Sequence, residues 1–335
     1  MDAQSNLRAW TEGHKRVSTE ESILSLRNAC FTPMVDARRV SAMRPVPHPI
    51  PYQGSKRALA GTIIGFFPKN INRLVEPFMG SAAVSLAAAH TSKAKNLWLN
   101  DANSALMQLW AAIVEKPDEL IAGYSRLWHE QLGDEQRFYN LVRERFNNEH
   151  HPEDFLYLLA RCVKASVRYN PRGEFNQSPD NRRKGAHPGE MRERVMGASK
   201  LLRTCQLRMT NDDYRKVLSD LEQGDLVYFD PPYQGVATGR DKRYAGGDFS
   251  HAEFWNALER LDREKIPYIL SYDGRCGNDE YGRGLPSHLG AFRIEVNVGR
   301  STQATLLGEA KDTVESIYLS RSLIPMLPTG IRGFV

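Results

Sequence analysis

Short apolar runs alternate with helical stretches along most of the chain. The runs have the length of buried strands, and the stretches between them repeat apolar residues every three or four positions, which predicts amphipathic helices. Strands are predicted at 73–78, 97–100, 206–209, 226–229, 267–271, 292–298 and 314–319. Helices are predicted at 81–89 and 103–114, directly after the first two strands. This order is typical of an α/β fold in which a parallel sheet carries helices on both faces.

The middle of the chain departs from this alternation. Residues 118–166 predict several amphipathic helices with no strand between them. Residues 168–189 are rich in Pro, Gly and Asn, which favour turns. We therefore expect a helical and loop-rich insert at 118–200, inside an α/β domain formed by 49–117 and 201–323.

The two ends of the chain predict appendages to this domain. Residues 18–21 form a capping-box sequence ahead of an apolar stretch, so a short helix is predicted near 18–29. The proline-rich segment 44–51 predicts a stiff, extended connector. We assign 1–48 to an N-terminal extension and linker, and 324–335 to a C-terminal tail.

Composition narrows the class of protein. Of the 335 residues, 41% are hydrophobic and 25% are charged, which are ordinary globular values that exclude a fully disordered chain. Neither an apolar run long enough for a membrane span nor a signal peptide is recognisable. The four cysteines are far apart without a CxxC pair, which predicts free thiols in a reducing cytoplasm and no zinc site.

The charge of the chain is concentrated in one place. The net charge of +5 is mild, but residues 168–184 hold five Arg or Lys against Glu174 and Asp180. A local basic stretch of this kind matters more for a polyanion partner than the total does. The two adjacent histidines at 150–151 are predicted to be a solvated loop pair.

The tetrapeptide Asp230-Pro231-Pro232-Tyr233 follows the predicted strand at 226–229. Open α/β sheets bind their ligands at the carboxyl ends of strands. There, the Asp230 carboxylate and the Pro231 carbonyl can both accept hydrogen bonds from the amino group of a nucleobase, which favours a tetrahedral, nucleophilic nitrogen. The Tyr233 ring offers a stacking face for a base extruded from a duplex. The alternative is a strand that ends in a proline-rich turn with a buried tyrosine.

Two further strand ends carry candidate ligand-binding residues. In the segment 76–82, Gly80 permits close backbone approach, and the following helix offers free N–H groups. The alternative is a strand-to-helix turn of small residues. Asp101 ends the next strand, where an acidic residue commonly binds ribose hydroxyls. The alternative, nearly as well supported, is that Asp101 is the N-cap of the following helix. All three signals fall at the same edge of one sheet.

Several short segments follow one another in a characteristic order: YQGSK at 52–56, EPFMGSA at 76–82, LNDAN at 99–103, RYNPRGEFN at 168–176, DY at 213–214, DPPY at 230–233, VGRS at 298–301 and ESIYL at 315–319. From about Pro51 to Leu323, they make the chain resemble the Dam-type N6-adenine DNA methyltransferases, also called the D12 or alpha group. The resemblance implies a Rossmann-like class I methyltransferase fold, with a seven-stranded mixed sheet and an inserted target-recognition domain.

The same resemblance implies a chemistry and a set of residues. S-adenosylmethionine would donate a methyl group directly to adenine N6, without a metal ion, at Asp230, Pro231, Pro232 and Tyr233. Lys56 would meet the carboxylate of the donor, Asp101 its ribose and Asp213 its adenine. The cofactor-binding residues implied are Tyr52, Lys56, Glu76, Phe78, Gly80, Asp101, Asp213 and Asp230.

Duplex DNA is the partner that the resemblance implies. Arg168 matches a position that reads a guanine in the major groove, for which arginine is the usual partner. The other DNA-binding residues implied are Lys164, Asn170, Arg172, Arg182, Arg183, Lys184 and Arg300, mostly as phosphate contacts. The alternative is that these charges are only solvated. We expect the loop at 234–249 to cover the flipped base.

The chain also departs from this family pattern. In the segment 76–82, Ala82 stands where the family has a glycine. Residues 177–180 stand where the family often has V-P-F-G, and Pro51 stands where it often has a basic residue. These changes put a GATC target in doubt. An N4-cytosine or RNA methyltransferase, and a non-catalytic DNA-binding module, are the alternatives. The resemblance is compatible with an enzyme that acts alone and with one that belongs to a restriction-modification system, with a cognate restriction endonuclease, or to a phage system.

Overall fold

A single mixed β-sheet forms the centre of the structure, a computed structural model that describes residues 34–36, 45–233, 249–277, 279–300 and 312–329. Its nine strands are β1 (Met34–Asp36), β2 (Arg73–Glu76), β3 (Asn96–Asn100), β4 (Gln206–Thr210), β5 (Asp225–Phe229), β6 (Tyr268–Cys276), β7 (Asp279–Tyr281), β8 (Phe292–Arg300) and β9 (Asp312–Leu319). Their order across the sheet is β1-β8-β9-β6-β5-β2-β3-β4, with β7 paired to β6.

The sequence prediction of seven strands is confirmed, and two strands of three residues are added to them. β2, β3, β4, β5 and β6 run parallel, whereas β9 runs antiparallel between β6 and β8. The additional β1 pairs with β8 and the additional β7 pairs with β6. β6 extends beyond the predicted end at Ser271, because an irregularity at Tyr272 and Gly274 lets it continue alongside β9.

Nine α-helices surround the sheet in the described part of the chain. They are α1 (Ala60–Gly65), α2 (Ala83–His90), α3 (Ser104–Glu115), α4 (Pro117–Glu130), α5 (Glu135–Glu149), α6 (Pro152–Arg161), α7 (Pro188–Leu202), α8 (Tyr214–Ser219) and α9 (His251–Arg263). Local sequence explains several of their starts: α4, α6 and α7 begin with proline, and α9 is capped by the Ser250 side chain.

The sheet is covered on both faces, as a mostly parallel sheet requires. Every residue of β5 is buried. Leu226 and Tyr228 join the apolar cluster that contains α1 to α7, whereas Val227 and Phe229 join the cluster that contains α8 and α9. Alternate residues of one strand therefore hold helices on opposite faces.

The segment between β3 and β4 is helical, as the sequence predicted. No strand occurs between Asn100 and Gln206, a stretch that is described throughout, and only two isolated bridges join Cys162 to Pro179 and Tyr169 to Phe175. α4 packs against α6 and α7, and α3 packs against the same two helices. The boundaries 118–200 for an insert stay a prediction, and the helix predicted near 18–29 lies outside the described residues.

Candidate active site

The three strand ends singled out in the sequence lie side by side. β2 lies between β3 and β5 in parallel register, so their carboxyl ends open on one edge of the sheet. The loop after β2 is tied to the end of β3, because the Met79 N–H donates to the Asn100 carbonyl at 2.9 Å and the Gly80 N–H donates to Asp101 Oδ2 at 3.0 Å. Asp230 follows β5 at the same edge.

Lys56 lies between two carboxylates at this edge. Its Nζ is 2.9 Å from both oxygens of Asp230 and 3.7 Å from Glu315 Oε2. The Lys56 side chain is only 7% exposed, and those of Asp230 and Glu315 are 23% and 20% exposed. The sequence indicated Lys56 and Asp230 but not their contact. It missed Glu315 as a site residue, although the ESIYL segment that contains it was noted.

The pKa values of Lys56, Asp230 and Glu315 depend on one another, because a single ammonium group lies near two carboxylates. Burial alone would lower the pKa of Lys56, but the negative charges of Asp230 and Glu315 outweigh it and raise the pKa above its usual value. Lys56 is therefore charged at neutral pH. Burial raises the pKa of both carboxyl groups, and the ammonium of Lys56 opposes that rise.

The loop between β2 and α2 brings its backbone close to an aromatic ring. Gly80 has a φ of +46°, and a Cβ atom there would lie 3.3 Å from the Tyr52 ring. The Trp110 Nε1–H donates to the Gly80 carbonyl at 3.0 Å, and the Ser55 and Ser81 hydroxyls are 2.7 Å apart. The structure therefore brings the predicted Tyr52 and Gly80 together.

Asp101 holds this loop and does not cap the next helix. Its Oδ1 accepts from the Asn103 N–H at 2.9 Å, while its Oδ2 accepts from Gly80. The N-cap of α3 is Asn103, whose side chain accepts from the Leu106 N–H. Burial raises the pKa of Asp101, and both backbone N–H groups counteract that shift. Asp101 is thus not the N-cap of α3, and that alternative is wrong.

Asn100, beside Asp101, was missed as a functional residue. Its side chain is fully buried, and its Nδ2 donates to the Pro77 and Asp212 carbonyls at 3.0 and 2.9 Å. Its Oδ1 accepts from Thr210 Oγ1 and from the Asp212 N–H, each at 2.8 Å. A single amide therefore joins the ends of β2, β3 and β4. The signal in the sequence was an asparagine at the end of a buried strand.

The Glu76 carboxyl group forms its hydrogen bonds within the protein. Its Oε1 accepts from the Ser85 N–H at 2.7 Å and from the Ser85 hydroxyl, at the start of α2. The side chain is 1% exposed, and burial raises its pKa to about 8, against the opposing effect of the Ser85 hydrogen bonds. Its predicted contact with a cofactor stays a prediction.

Phe78 lies in a cluster of aromatic rings beside the site. Its ring centroid is 5.3 Å from that of Tyr214 and 5.8 Å from that of Phe249. The neighbouring Asp213 caps α8 and forms an ion pair with Arg215, with distances of 2.8 and 2.9 Å. The hydrogen bond from Arg215 lowers the pKa of Asp213. A cofactor contact of Asp213 would therefore compete with Arg215.

The segment at 168–176 forms a small hairpin. The Asn176 N–H donates to the Arg168 carbonyl at 3.0 Å, and Gly173 takes a φ of +80° in the turn. The Asn170 Oδ1 accepts from the Arg172 and Glu174 N–H groups, so this side chain, predicted to bind DNA, builds the turn. The hairpin contacts the sheet edge through the Tyr169 hydroxyl, 3.3 Å from Asn103 Oδ1.

Most of the predicted phosphate-binding side chains already have carboxylate partners. Asp180 is 3.1 Å from Arg182 and 3.0 Å from Arg183. Arg172 pairs with Glu174 and Lys184 with Glu135, each at 2.8 Å. Lys164 is exposed, Arg168 is half-buried, and Arg300 ends β8 with a side chain outside the described residues. The basic stretch is thus locally compensated, and its role in DNA binding stays a prediction.

The remaining expectations concern metals, membranes and histidines. The described residues contain no group of three or more His, Cys, Asp or Glu side chains that could hold a metal ion. No helix in the same residues is both long and apolar enough to span a membrane. His150 and His151 are exposed, as predicted. Apart from Phe249, the loop predicted to cover the base lies outside the described residues.

Comparisons with known proteins agree with this arrangement. Over 279 residues the chain is 30% identical to the retron Ec67 DNA adenine methylase of Escherichia coli, covering 80% of this chain and 90% of that protein. It is 27% identical over 271 residues to a DNA adenine methylase of Serratia marcescens, covering 78% and 93%. It is 26% identical over 249 residues to the modification methylase StsI of Streptococcus sanguinis, covering 71% of this chain but only 37% of StsI.

A family model matches the central part of the chain. The model described as D12 class N6 adenine-specific DNA methyltransferase matches residues 52–302, which is more than half of the chain. The matched segment includes the carboxyl ends of β2, β3 and β5, with the Gly80–Asp101 hydrogen bond and the Lys56–Asp230 ion pair. On this match and this geometry, the chain belongs to the D12 class N6 adenine-specific DNA methyltransferase family.

Proposed function

We propose that this protein transfers a methyl group from S-adenosylmethionine to N6 of an adenine flipped out of duplex DNA. One observation carries the proposal: Asp230 lies at the carboxyl end of β5, next to Lys56 and to the adjoining ends of β2 and β3. An amino-group acceptor and the polar groups of the two neighbouring strand ends therefore share one edge of the sheet, where ligands of α/β folds bind.

The residues at this edge fit S-adenosylmethionine. Gly80 has no side chain, and the Tyr52 ring lies 3.3 Å from the position that its Cβ would take, so the loop after β2 presents bare backbone beside an aromatic ring. Lys56 supplies positive charge for the donor's carboxylate, Asp101 supplies acceptors for ribose hydroxyls, and Phe78 supplies an aromatic face. Bound there, S-adenosylmethionine supplies an electrophilic methyl group.

Asp230, Pro231, Pro232 and Tyr233 then act on the target base. The Asp230 carboxylate and the Pro231 carbonyl accept hydrogen bonds from the amino group, which directs the nitrogen lone pair toward the methyl group. Proline at both central positions restricts the backbone and keeps the carbonyl aimed. The Tyr233 ring stacks on the base, which contributes about 1–3 kcal/mol.

Duplex DNA is the proposed substrate, with residues 118–200 as the target-recognition domain and 49–117 with 201–323 as the catalytic domain. Arg168 is proposed to read a base and the other basic side chains to contact phosphates. A cytoplasmic site of action fits a DNA substrate and the free thiols of Cys162, Cys205 and Cys276. A cognate restriction endonuclease is a further proposal, suggested by the relative named a modification methylase.

The direct test uses purified protein, duplex DNA and a donor with a labelled methyl group. We expect label in the DNA and N6-methyladenine after digestion to nucleosides. Asp230→Ala should abolish transfer while DNA binding changes little, because Asp230 contacts the reacting amino group. Asp220→Ala, an exposed carboxylate that pairs with Arg208, is the matched control and should retain activity.

Four results would contradict the proposal. N4-methylcytosine as the product would reassign the base, and label in RNA alone would reassign the substrate. DNA binding without any transfer by the unaltered protein would favour a non-catalytic binding module. Turnover retained by Asp230→Ala would remove Asp230 from the catalytic role.

A further inference from the structure

His251 contacts the catalytic tetrapeptide from a different element. Its Nε2 lies 3.3 Å from the Pro232 carbonyl oxygen. Because a carbonyl can only accept, Nε2 must carry the hydrogen. The accepting carbonyl belongs to the peptide group that joins Pro232 to Tyr233. This contact therefore orients the backbone directly before the proposed stacking ring.

The same imidazole supports the ring of Tyr233 through a second residue. The Tyr233 and Tyr272 ring centroids are 5.5 Å apart, and Tyr272 is fully buried. The centroid of the Tyr272 ring is in turn 6.2 Å from that of the His251 ring and 5.2 Å from that of the Trp255 ring. His251 thus contacts the backbone that leads to Tyr233 and the ring on which Tyr233 rests.

His251 is well held for this task. It is the first residue of α9, whose start is capped by the Ser250 hydroxyl accepting from the Glu253 N–H at 3.3 Å. The Phe249 ring lies 5.0 Å from the imidazole and the Trp255 ring 5.9 Å. Tyr272 lies next to the bulge of β6, where Asp273 has a φ of +43°. Bulges of this kind redirect neighbouring side chains.

We propose that His251 is a positioning residue for methyl transfer: by donating to the Pro232 carbonyl and packing against Tyr272, it fixes the Tyr233 ring against which the flipped base stacks. The inference rests on the proposed function. It assigns a role to a histidine outside the segments that carry the family resemblance. His251 acts through Tyr233 and needs no change in its own charge.

Two amide substitutions distinguish the effect of the hydrogen bond from His251 to Pro232 from the effect of having any polar side chain at position 251. In His251→Gln, the amide nitrogen takes the place of Nε2 and keeps a donor toward Pro232. In His251→Asn, the shorter amide places its nitrogen where Nδ1 lies, so the donor to Pro232 is lost. His288→Asn, in an exposed side chain paired with Glu259, is the control for a histidine elsewhere.

The assay uses a duplex containing the sequence that the unaltered enzyme methylates, and kcat and KM are measured for each protein. We expect kcat to fall about tenfold in His251→Asn, the effect of one lost hydrogen bond, and to stay within about threefold in His251→Gln. KM for the methyl donor should change little in both. The His288→Asn protein should match the unaltered enzyme.

A fluorescent base reports on the stacking itself. With 2-aminopurine in place of the target adenine, a less ordered Tyr233 should quench the flipped base less, so His251→Asn should give brighter complexes than His251→Gln. Equal kcat values for the two variants, or equal fluorescence, would overturn the role of the hydrogen bond. If the unaltered protein transferred no methyl group, the proposed function itself would fail, which is a separate result.

Discussion

At the scale of single residues, buried polar groups around the site are matched to particular partners. Glu76 illustrates this, because its carboxyl group is 1% exposed and contacts the start of α2 through Ser85. Burial makes ionisation costly and raises its pKa to about 8. The folded protein therefore keeps a proton on Glu76 at pH values where the unfolded chain has lost it.

This difference predicts a pH-dependent stability. Between the unfolded pKa of Glu76, about 4.5, and its folded pKa of about 8, the folded state binds more protons, so rising pH lowers the free energy of unfolding. The slope for one proton is about 1.4 kcal/mol per pH unit. Glu76→Gln should remove this contribution, so its stability relative to the unaltered protein should rise with pH.

Denaturant unfolding at several pH values between 5 and 8 measures the effect. Glu119→Gln, at a side chain that is 75% exposed, is the control for the loss of a carboxyl group elsewhere on the protein. Parallel pH curves for Glu76→Gln and the unaltered protein would contradict the raised pKa.

Ala82 predicts a second effect at this scale. It is fully buried and has a φ of +50°, a left-handed conformation in which a β-branched side chain is especially strained. Ala82→Val should therefore lower the free energy of unfolding by roughly 2 kcal/mol more than Ala83→Val does. Ala83, also buried, has helical geometry as the first residue of α2, so it controls for the added volume. Equal losses in thermal or denaturant unfolding would show that the left-handed backbone carries no strain.

At the scale of elements, the site depends on links between neighbouring strand ends. The Asn100 side chain connects the ends of β2, β3 and β4 through four hydrogen bonds. Asp101 adds the link to Gly80. The loops that would hold a nucleoside are therefore positioned by the Asn100 amide, whose hydrogen bonds all lie within the protein, and by the bond from the Gly80 N–H to Asp101.

Removing the Asn100 amide should affect both folding and cofactor binding. Asn100→Ala leaves several buried polar groups without partners, so we expect a loss of at least about 3 kcal/mol in unfolding free energy. Asn96→Ala, on the same strand with one exposed side-chain bond to the Asn72 carbonyl, should cost less than about 1 kcal/mol. Calorimetric binding of S-adenosylmethionine should weaken in Asn100→Ala only. Similar stability of the two variants would argue against the linking role.

At the scale of the whole molecule, the basic side chains of the predicted DNA-binding segment are more fully paired than the sequence implied. Four of the five basic side chains in the segment 168–184 form ion pairs, with Asp180, with Glu174 and, from α5, with Glu135. Binding to phosphate would have to break these ion pairs. Each contact would therefore contribute less binding free energy than a contact from an unpaired side chain. Arg168 differs from these side chains, because its proposed partner is a base and not a phosphate.

The two kinds of contact predict different phenotypes. Arg168→Ala should relax sequence choice, at a cost of about 1–3 kcal/mol in discrimination at one base pair. Arg182→Ala should weaken binding similarly on all sequences and reduce the salt dependence by about one counterion. Sequencing of methylated sites and binding at several salt concentrations would measure both. Equal loss on every sequence in Arg168→Ala would remove it from base reading.

The sequence by itself determined the seven main strands, the helical segment between β3 and β4, and the presence of Lys56, Gly80, Asp101 and Asp230 in a recognisable order. These follow from local patterns of apolar residues and from short motifs, which depend on neighbours in the chain. β1 and β7 escaped prediction because three-residue strands carry too little pattern.

Only the tertiary structure decided which side chains meet. Lys56 contacts Glu315 across 259 positions of sequence, His251 contacts the tetrapeptide from α9, and the basic side chains of 172–184 pair with nearby acids. Whether Asp101 caps a helix or ties a loop was likewise undecided until the neighbouring strands were placed. The physical reason is that hydrogen bonds and ion pairs depend on distances of a few ångströms in space, which sheet pairing sets and sequence spacing does not.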